Sequence, residues 1–219
     1  LHDFKFGGIL ADDMGLGKTV QTLALCLHVL ESSPDARFLV VAPTSVVNNW
    51  EREAAKFTPG LRTLAIKETT KRRGAGVAET AGDAQLVVTS YALFRLDADE
   101  YESLDWELAL FDEAQFLKNP KAKTYQRARR LAASTKLALT GTPMENSLMD
   151  LWALLSITSP GLYPDPMRFS EAFRRPIETG NAPEQLQLLR RRVAPLMRRR
   201  TKDEVLSDLP PKTEQTIDI

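Results

Sequence analysis

The stretch that most limits what this chain can fold into is Asp13-Met14-Gly15-Leu16-Gly17-Lys18-Thr19, set between an apolar run and an amphipathic one. The apolar run, Gly8–Ala11, predicts a strand. The following Lys18–Glu31 predicts a helix, because Leu23, Leu27 and Leu30 recur at helical spacing. A glycine-bearing loop between strand and helix presents backbone N–H groups and a helix N-terminus, which together can wrap a phosphate chain. In that setting Lys18 reaches the β and γ phosphates and the Thr19 hydroxyl ligates magnesium. Asp12 stands where the pattern G-x-x-x-x-G-K-[ST] has its first glycine, so the match is not strict. A turn that only caps a helix would use the same glycines.

The rest of the chain repeats this alternation, which predicts an α/β fold with a mainly parallel sheet flanked by helices. Further strands are expected at 38–42, 61–66, 86–89, 108–111 and 137–139. Helices are expected at 45–57, 121–133, 147–157 and 183–196. The Gly-, Ala- and charge-rich segment 69–82 lacks periodicity and reads as a surface excursion. After Ile157, four prolines between 160 and 176 precede an Arg-rich helix, which predicts a C-terminal helical elaboration of the same unit.

Two later strand ends carry chemistry. Leu108-Ala109-Leu110-Phe111 runs into Asp112-Glu113-Ala114-Gln115, placing two carboxylates at the C-terminal end of a buried strand, where open α/β sheets bind ligands. Asp112 is suited to hold magnesium and Glu113 to orient and deprotonate a water. The strand ending at Leu139 continues as Thr140-Gly141-Thr142-Pro143, whose hydroxyls can bond both to the acidic box and across a cleft. A turn with a cap at Asn146 or Ser147 accounts for the same residues, and the two readings are compatible.

Composition removes several classes. Lys plus Arg and Asp plus Glu each number 29, so no whole-molecule basic field marks a nucleic-acid partner. The single cysteine, Cys26, cannot form an internal disulfide and reads as a small buried thiol. No apolar run approaches the length of a membrane span. His2 and His28 do not suggest a metal site, and Trp50, Trp106 and Trp152 read as packing residues. No [NT]-K-x-D motif for guanine occurs, because Thr201-Lys202-Asp203 has its Asp one place early.

Together these segments resemble the first RecA-like lobe of SWI/SNF-type helicase-like ATPases, within the second helicase superfamily. The resemblance rests on Gly7 to Thr19, Val41-Ala42-Pro43-Thr44-Ser45 with Asn49-Trp50, Thr89-Ser90-Tyr91, Asp112 to Gln115 with Lys118-Asn119, and Leu139 to Pro143. It extends to the Arg-rich tail, 189–193 and 197–205, and to Asp208-Leu209-Pro210-Pro211-Lys212. The resemblance implies a P-loop NTPase using ATP and Mg2+, with Lys18, Asp112, Glu113 and Gln115 catalytic and Thr140, Gly141 and Thr142 coupling. It implies translocation on duplex DNA without sequence preference or strand separation, with Pro43, Thr44, Ser45, Thr89, Ser90 and Tyr91 on the DNA track. Arg198, Arg199 and Arg200 would brace this lobe against a second one in the same polypeptide.

On this resemblance, residues 1–156 are the ATP-binding lobe, 157–212 its Arg-rich elaboration and 213–219 an extended connection towards the second lobe. The sequence opens on Leu1 and is expected to be a piece of a longer protein. An isolated lobe is expected to turn over weakly, since an arginine finger from the other lobe is worth about a thousandfold. Gln115, where many relatives carry His, resembles bacterial members and implies a cytoplasmic, nucleoid-associated location, or a nuclear one in a eukaryote. A DNA-bound protein would be the remodelled target, and no membrane is involved. Two rivals are an RNA helicase or restriction-type translocase lobe and a non-hydrolysing nucleotide-binding docking module. The basic run from Lys118 to Arg130 fits DNA phosphates and a solvated helix face equally well.

Overall fold

The computed structural model describes residues 7–144, 147–180 and 182–205. Among them, seven strands form one sheet: β1 (Gly8–Leu10), β2 (Phe38–Ala42), β3 (Thr63–Ile66), β4 (Leu86–Ser90), β5 (Trp106–Asp112), β6 (Ala133–Leu139) and β7 (Met197–Arg198). Their order is β3-β4-β2-β5-β6-β1-β7, and each pairing is parallel. The expected parallel α/β architecture is therefore present.

Central strands of a parallel sheet are covered on both faces, which is why β2 is a continuous apolar run. Alternation sends Phe38, Val40 and Ala42 to one face and Leu39 and Val41 to the other. The first face packs against α1 (Lys18–Ser32) and α2 (Thr44–Phe57) through Leu23, Cys26, Val47 and Trp50. Cys26 is fully buried, and burial pushes its thiol up to about 12.

Ten further helices follow among the described residues, most of them packed on the other face. These are α3 (Thr70–Arg73), α4 (Val77–Ala81), α5 (Tyr91–Leu96), α6 (Ala98–Glu102), α7 (Lys123–Arg130) and α8 (Leu148–Thr158), then α9 (Pro166–Phe169), α10 (Arg175–Glu178), α11 (Pro183–Val193) and α12 (Lys202–Val205). A π-turn, Ser170–Arg174, links α9 to α10. Phe169, Phe173, Leu189 and Val193 of the C-terminal part join the same core as Phe94, Tyr101 and Leu151. Trp106 and Trp152 are buried, and their indole N–H groups donate to the carbonyls of Tyr101 and Tyr163 at 2.8 and 2.9 Å. Among the described residues no helix is long and apolar enough to cross a membrane.

Three expectations need correction. Segment 69–82 holds α3 and α4, whose Val77 and Ala81 are buried, so it is partly packed. α7 ends at Arg130, not Ala133, because β6 already begins at Ala133. The helix expected over 183–196 ends at Val193, and Ala194–Leu196 form a 3-10 turn. The C-terminal part is the expected helical elaboration, to which β7 adds an edge strand beside β1, with Ile9 opposite Met197. Ser147 caps α8 by accepting from Met149 N–H at 3.1 Å. Asn146, the Asp208–Lys212 motif and the connection 213–219 lie outside the described residues.

Candidate functional site

The strand order brings the three motifs to one place. β1, β6 and β5 are neighbours, with Leu10 opposite Leu139 and Leu139 opposite Asp112, so their C-terminal ends stand in a row. Thr140 N–H donates to the Leu10 carbonyl at 3.0 Å. A Cβ placed on Gly141 would lie 3.5 Å from Met14 Cγ, so the Thr140–Thr142 segment packs directly on the glycine-bearing loop.

Within that loop Gly15 and Gly17 adopt φ of 89° and 72°, the left-handed region where side chains are strained. α1 then begins at Lys18, with Thr19 in its first turn. The Lys18 ammonium donates to the carbonyls of Asp12 at 2.6 Å and Asp13 at 3.2 Å. Asp12, which the sequence shows only as a missing glycine, is fully buried and bound by Arg200 and Gln21. Burial alone would push its carboxyl up; the Arg200 hydrogen bonds, helped by Gln21 and the guanidinium charge, hold it below its ordinary range.

Asp112 ends β5 with both oxygens occupied: Oδ2 accepts the Trp50 indole N–H at 2.8 Å, and Oδ1 accepts the Glu113 N–H at 2.9 Å. Burial pushes this carboxyl above its usual range and the Glu113 charge adds to that, while the indole, the backbone N–H and Lys18 pull it back. Glu113 has φ of 48°, the one non-glycine residue with positive φ among those described. Such a conformation costs about 1–3 kcal/mol and persists where surrounding contacts enforce it. Gln115 donates to Glu113 Oε2 at 2.9 Å while accepting the Thr140 hydroxyl at 3.1 Å. The chain closes on Thr142, whose N–H donates to Thr140 Oγ1 at 3.1 Å.

Among the described residues no group of three or more His, Cys, Asp or Glu is arranged to hold a metal ion. The donor set that does fit one is a carboxylate, Asp112, and a hydroxyl, Thr19. These are hard oxygen ligands, and magnesium takes one or two such groups, completing its shell with water and phosphate. Asp112 oxygens retain lone pairs for that purpose beyond the bonds they accept.

The second pair of strand ends holds the residues assigned to a DNA track. β2 and β4 lie side by side with Ala42 opposite Ser90. Thr44 and Ser45 are exposed in the first turn of α2, and Pro43 is half-buried. Thr89, Ser90 and Tyr91, in contrast, have their side chains buried in internal bonds, which leaves only their backbone groups to face such a track. Thr89 Oγ1 accepts from Tyr101 OH at 2.9 Å, and Ser90 Oγ caps α5 by accepting from Leu93 N–H at 3.3 Å. The Tyr91 hydroxyl donates to the Asp112 carbonyl at 2.8 Å, and burial pushes its phenol well above its ordinary range, so it stays protonated.

The basic run is partly neutralised. Arg127 pairs with Asp99 at 2.7 Å and Glu102 at 3.2 Å, and Lys118 with Asp150 at 3.5 Å. In the tail, Arg198 and Arg199 are exposed, whereas Arg200 is bound inside this lobe. Sequence reasoning missed Asp12, Trp50 and Gln21 as parts of the site; a tryptophan on the helix leaving β2, the neighbour of β5, was the available signal for the second.

With this geometry established, comparison with known proteins gives a consistent result. Residues 2–219 match the family described as SNF2-related domain. The putative ATP-dependent helicase/translocase YwqA of Bacillus subtilis is 38% identical over 98% of this chain, which covers 24% of that protein. The chromatin-remodeling ATPase INO80 of Schizosaccharomyces pombe is 35% identical over 99% of the chain and 14% of its own length. The Sulfolobus solfataricus SWI2/SNF2 ATPase core solved in complex with dsDNA superposes with a TM-score of 0.84 at 35% identity, over 95% of this chain and 43% of that one. The chain thus spans under half the length of each, and these relatives come from a bacterium, a fungus and an archaeon.

Proposed function

The chain belongs to the family of SNF2-related domains, and from that premise we propose that it is the ATP-binding lobe of a duplex-DNA-dependent ATPase. The observation that carries this reading is the hydrogen-bonded chain Glu113–Gln115–Thr140–Thr142 across the ends of β5 and β6, beside the phosphate loop. It links the residue placed to activate water to a segment that faces outward through exposed Thr142.

The division of labour follows from position. The loop N–H groups and Lys18 bind the β and γ phosphates of ATP. Magnesium, when bound, would supply positive charge to offset that of the phosphates. Asp112, oriented by Trp50, and Thr19 are the residues that would hold it. Glu113, held in its unusual backbone conformation, orients a water and accepts its proton. Gln115 fixes the Glu113 carboxylate and reports its position to Thr140.

Duplex DNA as the partner is supported by exposed Thr44 and Ser45 at the end of β2, whose hydroxyls and backbone suit phosphates without reading bases. A second RecA-like lobe of the same polypeptide would close over Thr142 and supply the charge that completes hydrolysis, with Arg198 and Arg199 exposed to brace it. A DNA-bound protein complex is the target of the resulting movement. The Gln115 form of the acidic box supports a bacterial source and a nucleoid-associated, cytoplasmic place of action.

The test is the steady-state ATPase rate of the full-length protein with no nucleic acid, with duplex DNA and with RNA. Duplex-specific stimulation abolished by Lys18→Ala is expected. Stimulation by RNA alone, or tight ATP binding with no turnover under any condition, would overturn the reading.

A further inference from the structure

The tail segment Arg198–Lys202 runs beside the phosphate loop as a continuation of the β1–β7 pairing. Ala11 N–H donates to the Arg198 carbonyl at 2.7 Å and Asp13 N–H to the Arg200 carbonyl at 3.1 Å. In return, Arg200 N–H donates to Asp12 Oδ1 at 2.9 Å and Lys202 N–H to Asp13 Oδ2 at 3.1 Å. Residues 187 to 189 positions apart are thus laced together at the one loop that must hold phosphate.

At the centre of this lacing is the Asp12 carboxylate, with no solvent exposure. The Arg200 guanidinium grips it through Nε, at 3.0 Å from Oδ2, and through Nη2, which also donates to Gln21 Oε1. Gln21 in turn donates to Asp12 Oδ2 at 3.3 Å and to the Leu16 carbonyl inside the loop at 2.9 Å. The main chain of the same Asp12 supplies the carbonyl closest to the Lys18 ammonium. A Cβ on Gly15 would also stand 3.9 Å from Lys202 Nζ, so the tail brings a second cation to the loop.

A buried carboxylate that loses its partner is left uncompensated, which strongly destabilises the structure around it. We propose that Arg200 is a positioning residue of the nucleotide site, acting through Asp12 and Gln21 to hold the carbonyls and N–H groups of the phosphate loop where they bind ATP phosphates. The assignment rests on the ATPase reading above. It differs from a brace between lobes, because the contacts of Arg200 lie within one lobe and end on the loop. It also gives the exiting tail a direct hold on the phosphate site.

The experiment uses the full-length protein and measures KM for ATP, kcat and the Kd for a fluorescent ADP analogue in Arg200→Gln, Asp12→Asn and the double variant. Arg200→Gln is expected to raise KM and Kd about tenfold with kcat at saturating ATP changed less than about threefold, the mark of lost ground-state binding. The double variant, which removes the buried charge together with its partner, should return both to within about threefold of wild type. A lower melting temperature with KM and Kd unchanged overturns the proposal, as does a raised KM that the double variant does not restore. Should Arg200→Gln not fold, Arg200→Lys keeps the charge without the forked N–H groups: a raised KM with kcat held supports positioning, and an unchanged KM overturns it. Wild-type protein that neither binds nor hydrolyses ATP would sink the ATPase reading itself, whereas normal wild-type binding with an indifferent Arg200 sinks only this inference.

Discussion

The indole N–H of Trp50, on the helix that leaves β2, lies 2.8 Å from Oδ2 of Asp112 at the end of β5. Both groups are buried, so the bond acts on a carboxylate in a low-dielectric setting, where hydrogen bonds to charged groups are worth about 1.5–3 kcal/mol. It favours the ionised form, the one that can hold a metal. Trp50→Phe keeps the ring but removes the donor, so the Asp112 carboxyl, already raised by burial, rises further. The acid limb of the ATPase pH profile is expected to move to higher pH, with a weaker apparent affinity for magnesium at neutral pH. An unchanged acid limb would mean that Trp50 only packs.

Gln115 is the sole direct link seen between Glu113 and Thr140 among the described residues. Glu113→Gln should therefore keep ATP binding and reduce turnover by about a hundredfold or more, since a positioned base contributes that much. Gln115→Leu keeps both carboxyl groups but cuts the link between Glu113 and Thr140. Its basal ATPase should fall only a fewfold, while stimulation by duplex DNA is largely lost. Equal loss of basal and stimulated rates would assign Gln115 to the chemistry and remove it from the coupling.

What could be read from the sequence follows distance along the chain. The phosphate loop, the acidic box and Thr140–Thr142 are local patterns, each a strand end with its chemistry in the next few residues, and all three converge as their strand order requires. The Trp50–Asp112 bond spans 62 residues and the Arg200–Asp12 bond 188, and no local period carries such pairings. Secondary structure failed for the same reason at smaller scale. Ala133-Ser134-Thr135-Lys136 has no apolar run to announce β6, and β7 is two residues long, defined only by the edge of β1 that receives it. Thr89 and Tyr91 are polar at a strand end and so look like surface ligands, yet each hydroxyl is used inside the fold.

That burial separates two classes of variant at the proposed DNA face. The double change Thr44→Ala with Ser45→Ala should weaken duplex binding severalfold and leave the melting temperature nearly unchanged, because both residues are exposed. Tyr91→Phe should do the reverse, lowering stability by about 1 kcal/mol for the lost bond to the Asp112 carbonyl. Its ring stack on Phe116, at 5.4 Å between centroids, would remain. Duplex affinity measured across a salt series, beside thermal melting, checks both; the wild-type salt slope should be steep, since phosphate contacts release counterions. A Tyr91→Phe protein of wild-type stability with weakened DNA binding would restore Tyr91 to the track.

Lys136 on β6 provides a pH test of the fold itself. Its ammonium donates to the carbonyls of Ala128 and Arg129 at the end of α7, at 3.0 and 2.8 Å. Burial lowers its pKa to about 8, and the nearby Arg129 charge adds to the effect, against 10.5 for the free side chain. Between those two values the unfolded chain binds a proton that the native one has released. Stability therefore rises with pH across that window, and the gain has an upper bound of about 3 kcal/mol, the shift at about 1.4 kcal/mol per unit. Below about pH 8 both states are protonated and the full cost of holding the charge is present. Hydrogen exchange of the β6 amides, compared between wild type and Lys136→Met from pH 7 to 9.5, isolates this term because intrinsic exchange rates cancel in the difference. Protection of the wild type relative to the variant should grow as pH passes 8, and a constant difference would show that Lys136 ionises normally.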